Sequence, residues 1–224
     1  LTREIVMAAR EGGGDAESNF RLRLAVDRAR SQNMPKENIE RAIKRGTGES
    51  KEGNTFEEVF YEGYAPHAVA LMIQCLTENR NRTVADVRHI LSRSGGNLGE
   101  GGSVGWQFKR IAYFSMPAAG LDFDKIFELA VEGGADDVTS DDESIEIFAP
   151  VESFKIISDA LHKAKIQLEE AELRMIPTQE MELDVEKTLQ VLRTVEALEE
   201  LDDVTNVYSS LRISEEAMAA LESE

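Results

Sequence analysis

The sequence predicts an α+β protein: an N-terminal helical bundle followed by two ferredoxin-like α+β domains, the last nested within the middle one. Three observations carry this expectation. The first fifty residues show helical periodicity and no strand signal. From residue 111 the pattern runs strand, helix, strand, strand, helix, strand, which is the split βαβ order of ferredoxin-like domains. The segment before it lacks one helix and one strand, and the helix and strand after residue 184 have no partners of their own. Nesting joins these two pieces, so the expected domains are 1–50, 56–110 plus 184–224, and an inserted 111–183.

Leu1 to Glu11 reads as a helix stopped by Gly12, Gly13 and Gly14, because glycine costs about 1 kcal/mol in a helix interior. Asp15 and Ser18 are N-cap types, and Phe20, Leu22, Val26 and Ala29 then recur at roughly helical spacing. A third helix is expected from Pro35, preset for the first helical position, to the residue before Gly46. Ile39, Ala42 and Ile43 make its apolar stripe; Lys36, Arg41, Lys44 and Arg45 line its other face. Leu22 to Arg45 also permits a helix-turn-helix, but the spacing favours a bundle with a solvated basic face. Gly46 to Thr55, GTGESKEGNT, is expected to be a linker.

Val59–Tyr64 and Val69–Leu76 are expected strands, joined through Ala65-Pro66-His67. Thr83–Arg93 is an expected helix, with Thr83 as its cap and Gly95 as its stop. Val84, Val87, Ile90 and Leu91 form its inward stripe, which leaves Asp86, His89 and Arg93 to solvent. Val104–Phe108 is an expected strand carrying Trp106, the only tryptophan. The inserted unit follows as Ala112–Met116, Phe123–Glu132, Asp136–Ser140, Ser144–Ala149, Val151–Ala164 and Gln167–Met175, and then come a helix over Asp184–Leu201 and a strand over Val204–Ile213.

With 42% hydrophobic and 30% charged residues among 224, the chain can bury a core and is not a disordered polyanion. No apolar run approaches the roughly 18 residues of a membrane helix, and no secretory signal pattern is present. The single Cys75 sits in an apolar run, so a reduced, intracellular compartment is expected. The opening LTREIV, without a methionine, is expected of a chain lacking its natural N-terminus. Net charge is -18, yet residues 1–110 carry a net +2 and residues 111–224 a net -20. Only the first half can therefore supply a face for polyanions, and screening beyond about 8 Å limits the repulsion from the second.

No enzyme is expected. The three histidines, His67, His89 and His162, lie in different elements, and Cys75 reads as core rather than as a nucleophile. No metal-ligand spacing appears, and neither cofactor nor small-molecule substrate is expected. Asp136-Asp137, Asp141-Asp142-Glu143 and Glu169-Glu170 read as a solvated acidic face, with a protein-docking surface as the alternative. The candidate nucleic-acid residues are Asn79, Arg80, Asn81, Arg82, Arg88, His89 and Arg93, together with Lys36, Arg41, Lys44 and Arg45. Asn79 to Arg82 precede an expected helix N-terminus, whose free amides favour an anion. The competing reading pairs these arginines with Glu57, Glu58, Glu62 and Glu78 inside the fold. Gly95, Gly96, Asn97, Gly99, Gly101 and Gly102 form a loop suited to close backbone approach; it lacks the Lys-Ser/Thr pair of a P-loop.

Three long stretches, GGGDAESNFRLRLAVDRARSQNMPKENIERAIKRGTGE, YEGYAP and LTENRNRTVADVRHILSRSGGNLGEGGSVGW, occur in this order. They closely resemble the YebC/PmpR family, over about residues 1–110 and more weakly beyond. The resemblance implies a cytoplasmic protein with a helical bundle and two α+β domains. It also implies a DNA-binding transcriptional regulator acting on promoter DNA. The alternative is a translation factor that meets ribosomal RNA and tRNA on ribosomes stalled at proline-rich sequences. Two departures stand out. The basic opening segment of the type GHSKWANIKHRK is absent, and His67-Ala68 stand where the family often has two glycines.

Overall fold

The computed structural model describes residues 1–50 and 56–221; residues 51–55 of the expected linker lie outside the described residues. Helices α1 (Thr2–Gly12), α2 (Phe20–Ser31) and α3 (Lys36–Thr47) open the chain. α1 buries Ile5 to Ala9 without a break and packs against both other helices. α3 continues past Gly46 because that glycine is a packing position. A Cβ there would lie 2.5 Å from the Val6 carbonyl oxygen, so only glycine lets the two helices meet. Pro35 is the N-cap of α3 rather than its first residue.

The cap of α2 is Asn19, not Asp15 or Ser18. Asn19 is 3% exposed and works at both ends: its Oδ1 accepts from Leu22 N at 3.0 Å, while its Nδ2 donates to the carbonyls of Ala8 (2.7 Å) and Gly13 (2.8 Å). An aspartate has no donor with which to tie α1 to α2 in this way. Asp15 instead holds the preceding turn, accepting from Glu17 N at 2.9 Å.

The described residues fall into two compact units, one holding residues 1–50 with Arg110–Arg174, the other Phe56–Lys109 with 175–221. In the first, β4 (Phe108–Pro117, from Arg110 on), α5 (Phe123–Glu132), β5 (Asp137–Ser140), β6 (Ser144–Ala149), α6 (Phe154–Lys163) and β7 (Glu170–Pro177, as far as Arg174) build a sheet in the order β5-β6-β4-β7. The expected βαββαβ element order is present. Phe114 stacks on Phe154 at 5.2 Å in its core, and Phe20 of α2 packs against the same cluster.

The second unit draws β1 (Glu57–Tyr64), β2 (Ala70–Thr77), α4 (Arg80–Arg93) and β3 (Asn97–Leu98) from before the insertion. After it come β8 (Met181–Glu182), α7 (Val185–Glu199), β9 (Val204–Ser209), β10 (Leu211–Arg212) and α8 (Glu215–Leu221). Its sheet, β3-β1-β2-β9, is antiparallel at each pairing, and Val87 and Leu91 of α4 with Val191 and Leu198 of α7 are buried over it. Each such side chain contributes roughly 1.5–3 kcal/mol by leaving water.

Several expected boundaries move, each for a local reason. Residues 175–183 belong to the second unit, because Met175 packs with Phe108 and Met181–Glu182 pairs with Leu211–Arg212. Val104–Phe108 is not a strand: Val104 and Phe108 are both buried in one cluster, and a 3-10 turn over Gly105–Gln107 bridges them. The expected last strand breaks at Ser210, whose N–H donates to the Ala70 carbonyl and whose Oγ accepts from Ala70 N, both at 3.0 Å. The glycine loop holds a strand that periodicity cannot see, since β3 is only two residues long.

Candidate nucleic-acid interface

Helix α4 begins at Arg80, three residues earlier than the pattern suggests. Its cap is Asn79, whose Oδ1 accepts from Arg82 N at 3.2 Å. Thr83, the expected cap, is buried, and its hydroxyl donates inward to Asp203 at 2.7 Å. The cap engages one first-turn amide, Arg82 N, and the helix start adds its cationic side chains.

Those side chains are held in place by acids of the same unit. Arg80 Nε pairs with Glu57, and the Tyr61 hydroxyl donates to the Arg80 carbonyl at 3.2 Å. Arg82 donates to Asp203 Oδ2 at 2.7 Å, and this hydrogen bond, followed by the coulombic attraction of the same carboxylate, raises the guanidinium pKa. Arg80 and Arg82 remain 62% and 55% exposed, so the acids orient them without covering them. Asn81, Arg88, His89 and Arg93 are also exposed, alongside one exposed acid, Asp86. One helix therefore gathers Arg80, Arg82, Arg88, His89 and Arg93.

The glycine loop makes its close approach to its own sheet. A Cβ on Gly96 would lie 2.2 Å from the Tyr64 carbonyl oxygen, which lets Asn97–Leu98 pair with β1. Gly95, Gly101 and Gly102 are exposed at the surface, and Gly99 is half-buried beside Ser103. Beyond β3 the loop folds over Glu62, whose carboxylate accepts from the amides of Gly102 (2.7 Å), Val104 (2.8 Å) and Gly105 (2.7 Å). Partial burial raises the Glu62 pKa, but the three amide hydrogen bonds outweigh it and hold the carboxyl below the usual range. These amides already serve a carboxylate, so the loop is not built to cradle a phosphate.

Lys36, Arg41, Lys44 and Arg45 lie on α3, in the first unit, and form a separate set. Lys36 pairs with Glu40 at 3.6 Å, and Arg41 and Arg45 line a shallow notch with Thr2, Asn38 and Ala42.

Three residues matter here that sequence reasoning did not select. Asp203 is remote from α4 in the chain, and nothing in its local pattern announces a buried acid. By sequence Glu62 reads only as a partner for arginine, and Trp106 as a strand residue. Of the acids proposed as arginine partners, Glu57 is one, whereas Glu58 accepts from Gln74 Nε2 at 2.6 Å. Cys75 is buried in the sheet, and burial, with Asp203 adding to it, pushes its thiol up to about 12. Among the described residues no group of three or more His, Cys, Asp or Glu side chains is placed to hold a metal. No described helix is long and apolar enough to cross a membrane.

Fold and site together define an α+β protein whose second unit displays a cationic helix. The chain belongs to the TACO1/YebC family: the model of the family's N-terminal domain matches residues 1–49, and that of its second and third domains matches residues 56–211. It is 48% identical to a probable transcriptional regulatory protein of Chlorobaculum parvum, over 100% of this chain and 89% of that protein. A protein of the same description from Acidithiobacillus ferrooxidans is 50% identical, over 99% and 88%. The crystal structure of a conserved hypothetical protein from Aquifex aeolicus matches with a TM-score of 0.77 at 43% identity, covering 96% of this chain and 88% of that one.

Proposed function

We propose that the protein is a cytoplasmic, non-enzymatic regulator of gene expression that binds nucleic acid through the outer face of α4. The observation that carries this is the concentration of Arg80, Arg82, Arg88 and Arg93 on one exposed helix of a chain with net charge -18. The description of its relatives as probable transcriptional regulatory proteins supports the same reading. Phosphate contact of this kind fixes position rather than sequence, because a guanidinium meets every phosphate alike. Asp86 on the same face, and the acids that already pair Arg80 and Arg82, keep the affinity modest.

The test is binding of the full chain to a labelled duplex over a salt series. Four neutralised phosphates give a log-log slope of about -3.6. Replacing Arg88 and Arg93 with alanine should lower that slope in magnitude by about 1.8 and leave the fold unchanged. A promoter bound a thousandfold more tightly than its scrambled version would overturn the backbone-contact mechanism. A variant that binds like the parent would remove α4 as the surface. The same series on structured RNA separates a promoter role from a ribosomal one.

A further inference from the structure

The loop that Glu62 holds has one unusual product: the indole of Trp106 is 74% exposed, the most open of the large apolar side chains. At an interface a tryptophan can present both an apolar ring and an N–H donor. Here Nε1 donates at 3.1 Å to the Ser103 carbonyl of the same loop. That bond fixes the ring against its own turn and leaves the π-face open. The turn is fixed in its own right, since the amides of Gly102, Val104 and Gly105 converge on one carboxylate and Val104 and Phe108 are buried on either side. The ring is thus preorganised, at little further entropic cost to a ligand.

The surroundings select the ligand. Across residues 99–109 the other exposed positions are Glu100, Gly101, Gly102 and Lys109, none of them apolar. A protein hot spot is typically ringed by packed contacts that exclude water. Within its own loop the ring stands among glycines and polar groups, and with its donor already engaged it offers a stacking face. We propose that Trp106 is a stacking platform for an unpaired nucleobase of single-stranded nucleic acid. The inference rests on the nucleic-acid reading above and adds a preference for unpaired over duplex substrate.

Because Trp106 is the sole tryptophan, its emission reports on this site alone. The full chain is titrated at low salt with a single-stranded oligonucleotide and with a duplex of the same length, following tryptophan fluorescence and the anisotropy of a label on the nucleic acid. Stacking is expected to quench the emission by more than half with the single strand and by little with the duplex. Trp106→Ala should weaken single-strand binding about tenfold and duplex binding less than twofold, and Trp106→Phe should recover most of the loss. The exposed ring contributes no core packing, so the variants should melt with the parent. Binding by anisotropy with unchanged emission, and equal affinity in Trp106→Ala, would overturn the stacking role and leave the nucleic-acid reading standing; the ring would then belong to a protein contact. No binding of either substrate would overturn both.

Discussion

Replacing Asp203 with alanine should cost far more than removing the arginine it holds. The carboxylate accepts from Arg82 at 2.7 Å, from the Thr83 hydroxyl at 2.7 Å and from the Thr77 hydroxyl at 3.2 Å, and it is 5% exposed. Hydrogen bonds to a charged group are worth about 1.5–3 kcal/mol, and a buried polar group left without a partner adds roughly 1–3 kcal/mol. Thr77 and Thr83 are both buried and would lose this acceptor, although they lie within 2.7 Å of each other and keep that contact. A loss of about 3 kcal/mol follows, which for a chain of this size lowers the melting temperature by roughly 6–12 °C. Arg82→Ala is expected to cost much less, because the two hydroxyls still satisfy the carboxylate and the guanidinium was largely in water. Urea denaturation of both variants, followed by circular dichroism, measures the difference. Equal losses, or a loss below about 1 kcal/mol for Asp203→Ala, would refute the view that Asp203 is a structural anchor for the start of α4.

Two further outcomes are open to the same measurements. Ala68 has φ 62°, in the left-handed region that favours glycine. Ala68→Gly should stabilise the protein by about 1 kcal/mol, and a destabilised variant would show that the turn is not strained there. The lowered pKa of Glu62 makes its contribution to stability complete above the ordinary glutamate value and lost as pH falls through the lower folded one. Glu62→Gln should therefore be less stable than the parent at neutral pH. The gap should begin to narrow below the ordinary glutamate value, where the unfolded chain takes up the proton, and close as pH falls through the lower folded one. A gap that persists unchanged into acid would mean that the charge is not what holds residues 102–105.

The sequence by itself determined most of the element types and the basic residues carried by one exposed helix. Those features follow from local rules. Apolar residues at helical or alternating spacing mark the buried side, so α4 leaves its arginines outside whatever it packs on. Boundaries and partners were decided by tertiary structure. Thr83 fits a cap by type, but the buried Asp203 draws its hydroxyl inward and leaves the cap to Asn79. Asp15 and Ser18 yield to Asn19, since only an amide both accepts from α2 and donates to the end of α1. Val104 to Phe108 reads as a strand until Glu62 gathers the amides around it and turns Trp106 outward. In each case one side chain far away in sequence, or one buried donor or acceptor needing a partner, overrode a local preference worth only a fraction of the bond it made.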